Sequence, residues 1–118
     1  MLAPLPIALA AELTPEVTDF SYAAEAYDAV VLVALASLAA GSTEGADIAE
    51  KMAEVSGGSG DGEKCTSFAE CAKIINDGGT ADYDGYSGDV TFDENGDPQG
   101  ASIGIYKYAA DNMIERTN

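Results

Sequence analysis

Phe20-Ser21-Tyr22-Ala23-Ala24-Glu25-Ala26-Tyr27-Asp28-Ala29, continuing without a charge from Val30 to Ala40 and stopping at Gly41, is the stretch that decides the fold. It predicts one long helix over 20–40, with Asp19 as its N-cap and Gly41 just past its end. The first half is amphipathic. The second half, Ala29-Val30-Val31-Leu32-Val33-Ala34-Leu35-Ala36 and then Leu38-Ala39-Ala40, is apolar on nearly every side. A helix of that kind needs cover all round. The apolar run is too short to span a bilayer, and Glu25 and Asp28 stand just ahead of it.

Working outward, a second helix is expected from Glu44 to Val55, capped by Ser42 or Thr43. It runs out into Ser56-Gly57-Gly58-Ser59-Gly60-Asp61-Gly62, so 56–63 reads as a flexible loop. Ser67-Phe68-Ala69-Glu70 fits a capping box and opens a third helix, which ends near Asn76 before Gly78-Gly79. Tyr83-Asp84-Gly85-Tyr86-Ser87-Gly88 is a turn-rich approach to a strand. Val90 and Phe92 alternate with Thr91 and Asp93 as a half-buried strand does, and Asn95-Gly96 marks a turn. A second strand is expected over Ala101–Tyr108, with Ile103, Ile105 and Lys107 on one face, and a short terminal helix over Asp111–Arg116. Two short helices and a hairpin are thin cover for the long helix, which therefore reads as part of a larger body or of a self-associating one.

The 118 residues suit one domain, 1–118, with 1–18 as an irregular lead-in. Met1 to Glu16 is apolar, but it lacks a basic start and is broken by Pro4 and Pro6, so it does not read as an export signal. Against 21 Asp and Glu stand 5 Lys and Arg, a net charge of −16. That field repels phosphate backbones and disfavours nucleic acid as a partner. No histidine is present, so a conventional zinc site lacks ligands, and no base stands beside a Ser or Cys nucleophile. Asp93, Asn95 and Asp97 begin an EF-hand pattern, but Pro98 and Gly104 occupy its glycine and final acid positions, so the segment reads as a solvated hairpin tip. No metal or cofactor is expected, and the chain does not read as an enzyme. Cys65 and Cys71 read as a short local disulfide, contributing about 2–3 kcal/mol and pointing to an oxidising compartment. The alternative is two reduced thiols on one turn of helix and its lead-in.

Several segments in order resemble the C-terminal region of type I periplasmic solute-binding proteins of the leucine/isoleucine/valine-binding family. They are Phe20 to Ala29 with Ala40-Gly41-Ser42-Thr43, then Gly62 to Cys71, similar to a cysteine-bearing insertion of some members. Tyr83 to Asp97 and Ser102-Ile103-Gly104-Ile105-Tyr106, similar to the strand that closes the fold, complete the set. The resemblance implies an α/β fold: part of a type I lobe, with a long apolar helix, two shorter helices and a C-terminal β-hairpin. It implies a secreted, periplasmic or cell-surface receptor component that binds a small molecule such as an amino acid and docks on an ABC permease. It covers only the closing part of such a protein, so an N-terminal portion or a second copy is expected as a partner. It places Tyr22, five residues before Tyr27, where members often pack an aromatic ring on the ligand; otherwise Tyr22 anchors the helix in the core. Phe20 and Tyr27 read as core-packing residues. Asp28 sits by the helix N-terminus or caps a neighbour.

Overall fold

A computed structural model describes residues 19–100 and 103–118. The expected lead-in over 1–18 lies outside the described residues, as do Ala101 and Ser102. The described residues are mixed α/β, with three helices and two small sheets among them.

Helix α1 spans Ala23–Ala40, three residues later than expected. Asp19 does not cap it. Its carboxylate accepts instead from the backbone N–H of Ser21 at 2.9 Å, a local turn that competes with helix entry. At the far end Gly41 adopts φ 63°, and its N–H and that of Ser42 return to Leu38 and Ser37 carbonyls. Only Gly takes that conformation without strain, so the helix stops where expected.

Helix α2, Gly45–Val55, follows after a short turn in which Ser42 Oγ accepts from the Glu44 N–H at 3.1 Å. It packs against α1. Strand β1 (Glu63–Cys65), helix α3 (Phe68–Asn76) and strand β2 (Ala81–Gly85) form a compact parallel β–α–β unit. The register pairs Glu63 with Ala81, Lys64 with Asp82 and Cys65 with Tyr83. The capping box forms as expected: Ser67 Oγ accepts from the Glu70 N–H at 3.2 Å. The Glu70 carboxylate reaches back to the N–H and hydroxyl of Thr66, and these contacts hold its pKa below the ordinary carboxylate value. Strand β3, Gly88–Asp89, folds back antiparallel on β2 through Tyr86 and Ser87.

The expected loop over 56–63 begins at a residue tied into the sheet. Ser56 is buried, bridges to Asp82, donates to the Ala53 carbonyl and accepts from the Phe92 N–H.

Four details differ from the sequence reading. The turn-rich stretch Tyr83–Gly88 begins inside the sheet, because Ala81, Asp82 and Tyr83 are buried in its central strand. The Asn95-Gly96 turn is present, but it closes Phe92 on Pro98 rather than on Ala101–Tyr108, with Asp93 Oδ1 accepting from the N–H groups of Asn95 and Asp97. Strand β4 is confined to Tyr106–Tyr108. Its partner β5, Ile114–Arg116, lies where a short helix was expected. Asp111, taking the Met113 N–H, and Asn112, at φ 63°, turn the chain back and make a hairpin there instead.

The core lies where α1, α2, α3 and β2 meet. Leu32, Leu35, Ala36, Val55, Cys71, Ala81 and Tyr83 are its buried centre, with Ile48, Met52, Ile74 and Phe92 packed around it. Each fully buried Leu or Val side chain there contributes about 1.5–3 kcal/mol. Along α1 the buried set is Asp28, Val31, Leu32, Leu35 and Ala36, one stripe at helical spacing. The opposite side is not covered: Val30 is 71% exposed and Val33 46%. By length and composition α1 is apolar enough to cross a membrane, and 28% of it is buried; the buried stripe, with Asp28 at its head, is the part that packs on the core. Ile103, Ile105, Tyr106, Tyr108, Met113 and Ile114, around β4 and β5, are likewise exposed.

Candidate functional site

The N-terminal end of α1 and the β2–β3 turn bring together the aromatic and polar groups that the sequence scatters. Tyr22 is the residue from which α1 springs: its carbonyl accepts from the Ala26 N–H at 2.9 Å. Its backbone lies at φ 63°, ψ 9°, with no side-chain cap. That left-handed conformation costs a non-glycine residue about 1–3 kcal/mol. The side chain is 78% exposed, so Tyr22 is not the core anchor of the helix. Phe20 and Tyr27, read from sequence as core residues, instead sit at the surface, each more than one-third exposed. The Tyr27 ring meets Tyr86 edge to face, centroids 4.9 Å apart at 63°, a favoured aromatic geometry.

Behind this edge lies Asp28, only 1% exposed. Its Oδ1 accepts from the Tyr83 hydroxyl at 2.7 Å and the Tyr86 N–H at 3.0 Å; its Oδ2 accepts from the Ser87 N–H at 2.6 Å and from the Ser87 hydroxyl. Asp28 therefore caps a neighbour, the turn between β2 and β3, rather than its own helix. Every donor is neutral, and together they replace the water a carboxylate loses on burial. Burial first, and the bond to Asp28 second, push the Tyr83 phenol well above its ordinary pKa. Gly85 is dictated by the same packing: a Cβ there would overlap the Asp28 carboxylate and the Tyr83 hydroxyl.

A second polar group lies on the sheet. Lys64 Nζ meets Asp82 Oδ2 at 2.9 Å and Asp84 Oδ2 at 2.8 Å, and those two carboxylates, Asp84 first, raise its pKa. The other oxygens, Asp82 Oδ1 and Asp84 Oδ1, are buried with no hydrogen-bond partner among the described residues. A shallow cavity of about 520 Å³ between β1 and α3 is lined by Glu63, Lys64, Cys65, Glu70, Lys73 and Ile74 among others, and it contains no aromatic side chain. Among the described residues, no cluster of three His, Cys, Asp or Glu side chains could hold a metal ion. Cys65, ending β1, and Cys71, inside α3, form the expected disulfide with Cα atoms 5.4 Å apart.

The family described as the receptor family ligand binding region matches residues 9–111. The chain belongs to this family. No curated protein and no solved structure matches it. A receptor-family ligand-binding region of the periplasmic-binding type holds a small molecule, and the mixed α/β architecture is that of part of such a lobe. Tyr83, Tyr86 and Ser87, which gather on Asp28 in this candidate site, were not singled out from the sequence. Their signal there was Gly85 and Gly88, which bracket Tyr86-Ser87 and mark a tight turn.

Proposed function

We propose that this receptor-family region is the C-terminal portion of the solute-binding component of an ABC importer for branched-chain or related amino acids. In this reading Tyr22 packs on the ligand's side chain, and the liganded receptor docks on a membrane permease outside the cytoplasm. The observation that carries it is the strained, exposed Tyr22 at the head of α1. Strain at an exposed aromatic residue contributes nothing to the core and is typical of ligand clamps. The buried disulfide supports an oxidising compartment. The exposed apolar side of α1 and the exposed β4–β5 hairpin support a larger receptor body that covers them. Calorimetric titration with leucine, isoleucine, valine and their amide relatives tests the reading. Saturable heat with one of them supports it, and no heat with any of them at millimolar concentration rejects it for this chain.

A second reading has its own observation. Val30 and Val33 lie on a side of α1 that carries no charge after Glu25, in a chain of net charge −16. Two copies of so acidic a chain meet with least repulsion on an uncharged strip. A small secreted domain that self-associates through α1 would give a concentration-dependent mass in light scattering, lost in Val30→Lys.

A further inference from the structure

We propose that Asp28 is a positioning residue of the aromatic edge: its carboxylate, rather than packing, sets where Tyr86 stands against Tyr27. The ligand-facing half of this proposal rests on the binding reading above.

The carboxylate is buried with no cation against it among the described residues, where its four contacts come from neutral donors on three residues of one short segment. An apolar side chain would fill the same space without the desolvation cost of a charge. What the carboxylate adds is direction. Its two oxygens divide the work, Oδ1 holding Tyr83 and the Tyr86 N–H, Oδ2 holding both polar groups of Ser87. A forked acceptor of this kind fixes two successive backbone N–H groups toward α1, and with them the path of the turn.

The turn then determines the rings. Tyr27 immediately precedes Asp28 on α1, and Tyr86 carries one of the N–H groups that Asp28 holds. The edge-to-face contact of the two rings spans the same junction. Gly85 leaves the turn no slack, since its Cα lies too close to the carboxylate for any side chain. Tyr22, at the start of the same helix, lies six residues or a little over one and a half turns before Asp28, so the turn that carries Tyr86 and the head of α1 that carries Tyr22 are joined through Asp28. The carboxylate touches no ligand in this scheme; it acts through Tyr86.

The test combines proton NMR with leucine titration on the full chain, for the parent, Asp28→Asn, Ser87→Ala and Ser87→Thr, each first shown folded by circular dichroism. Asp28→Asn keeps the shape but turns an NH₂ group toward N–H donors. The expected result is loss of the Tyr27–Tyr86 ring cross-peaks and about ten-fold weaker leucine binding. Ser87→Ala should weaken the cross-peaks and the affinity to a lesser degree, and Ser87→Thr, which restores the hydroxyl, should recover both. Should Asp28→Asn fail to fold, the Ser87 pair decides. Cross-peaks unchanged in a folded Asp28→Asn, or in Ser87→Ala in its place, overturn the proposal; lost cross-peaks with unchanged leucine affinity overturn its ligand-facing half. A parent that binds no leucine, with cross-peaks lost in Asp28→Asn, refutes the binding reading while upholding Asp28 as what places Tyr86.

Discussion

The Tyr83 hydroxyl donates to Asp28 Oδ1 at 2.7 Å, joining the central strand β2 to helix α1 across 55 residues of sequence. Both partners are 1% exposed. Tyr83→Phe keeps the ring and removes one donor from a buried carboxylate, which is costlier than removing both partners together. The expected loss is about 1–3 kcal/mol, seen as a lower urea midpoint with an unchanged slope. An unshifted midpoint would mean that the other three donors satisfy Asp28 by themselves.

The same hydroxyl makes the fold sensitive to alkali. Burial and the Asp28 bond raise the Tyr83 pKa above the ordinary tyrosine value of about 10. Above about pH 10 an unfolded chain has released this proton while the folded chain still holds it. The folded state then binds more protons, so stability falls as pH rises through that window and is fully present below it. In a phenolate absorbance titration of the six tyrosines, one should ionise only as the near-ultraviolet dichroism of the fold disappears. Tyr83→Phe should abolish that late step. If every tyrosine ionises with the dichroism intact, Tyr83 is not held as described.

Two glycines should respond to alanine in opposite directions. At Gly85 a Cβ overlaps Asp28 and the Tyr83 hydroxyl, and the atoms in the way are a hydrogen-bonded network rather than a free side-chain end. Gly85→Ala should cost about 2–3 kcal/mol. Gly45 opens α2 with nothing within 4 Å of a Cβ, so Gly45→Ala should stabilise by about 0.5 kcal/mol through the unfolded chain. Thermal denaturation of the two variants side by side checks both signs.

Reduction of Cys65–Cys71 should cost little. The loop between them is short, so its closure restricts the unfolded chain only modestly, by about 2 kcal/mol. The capping contacts at Ser67 and Glu70 hold the start of α3 without the bridge. Urea midpoints with and without reductant should differ by that amount, with helical dichroism retained. Collapse of the fold on reduction would show that the bridge, and not the capping box, places α3.

What could be read from the sequence was what short-range chemistry decides. Ser67 and Glu70 announce α3 because a cap is a contact between residues three apart. Gly41 ends α1 because only glycine turns there without strain. Strand β2 was missed because in Ala81-Asp82-Tyr83-Asp84-Gly85 only Tyr83 favours a strand, against two Asp, a Gly and an Ala. Long-range partners hold it instead: Lys64 on its acids and Asp28 on Tyr83. The same holds for the candidate site. Tyr22 was singled out by resemblance alone, whereas Tyr86 and Ser87 are brought beside the head of α1 by an aspartate 58 and 59 residues away. The open side of α1 could be foreseen as a demand for cover, but hydrophobicity without periodicity does not say which stripe is buried.

On the proposed reading, a substitution at Tyr22 should separate binding from stability. Its φ of 63° is one that glycine adopts freely, and its ring is largely exposed. Tyr22→Gly should therefore leave the melting temperature unchanged or raise it, by relief of about 1 kcal/mol of backbone strain, partly offset by glycine's greater freedom when unfolded. In the same variant the ring is gone, and leucine affinity should fall about ten-fold or more, the scale of a lost aromatic contact. Calorimetry and thermal denaturation on one preparation read both. A clear loss of stability would return Tyr22 to the role of helix anchor, and unchanged affinity in a stable variant would remove it from the ligand's surroundings. Stability kept and affinity lost is the combination expected of a residue strained to meet a ligand.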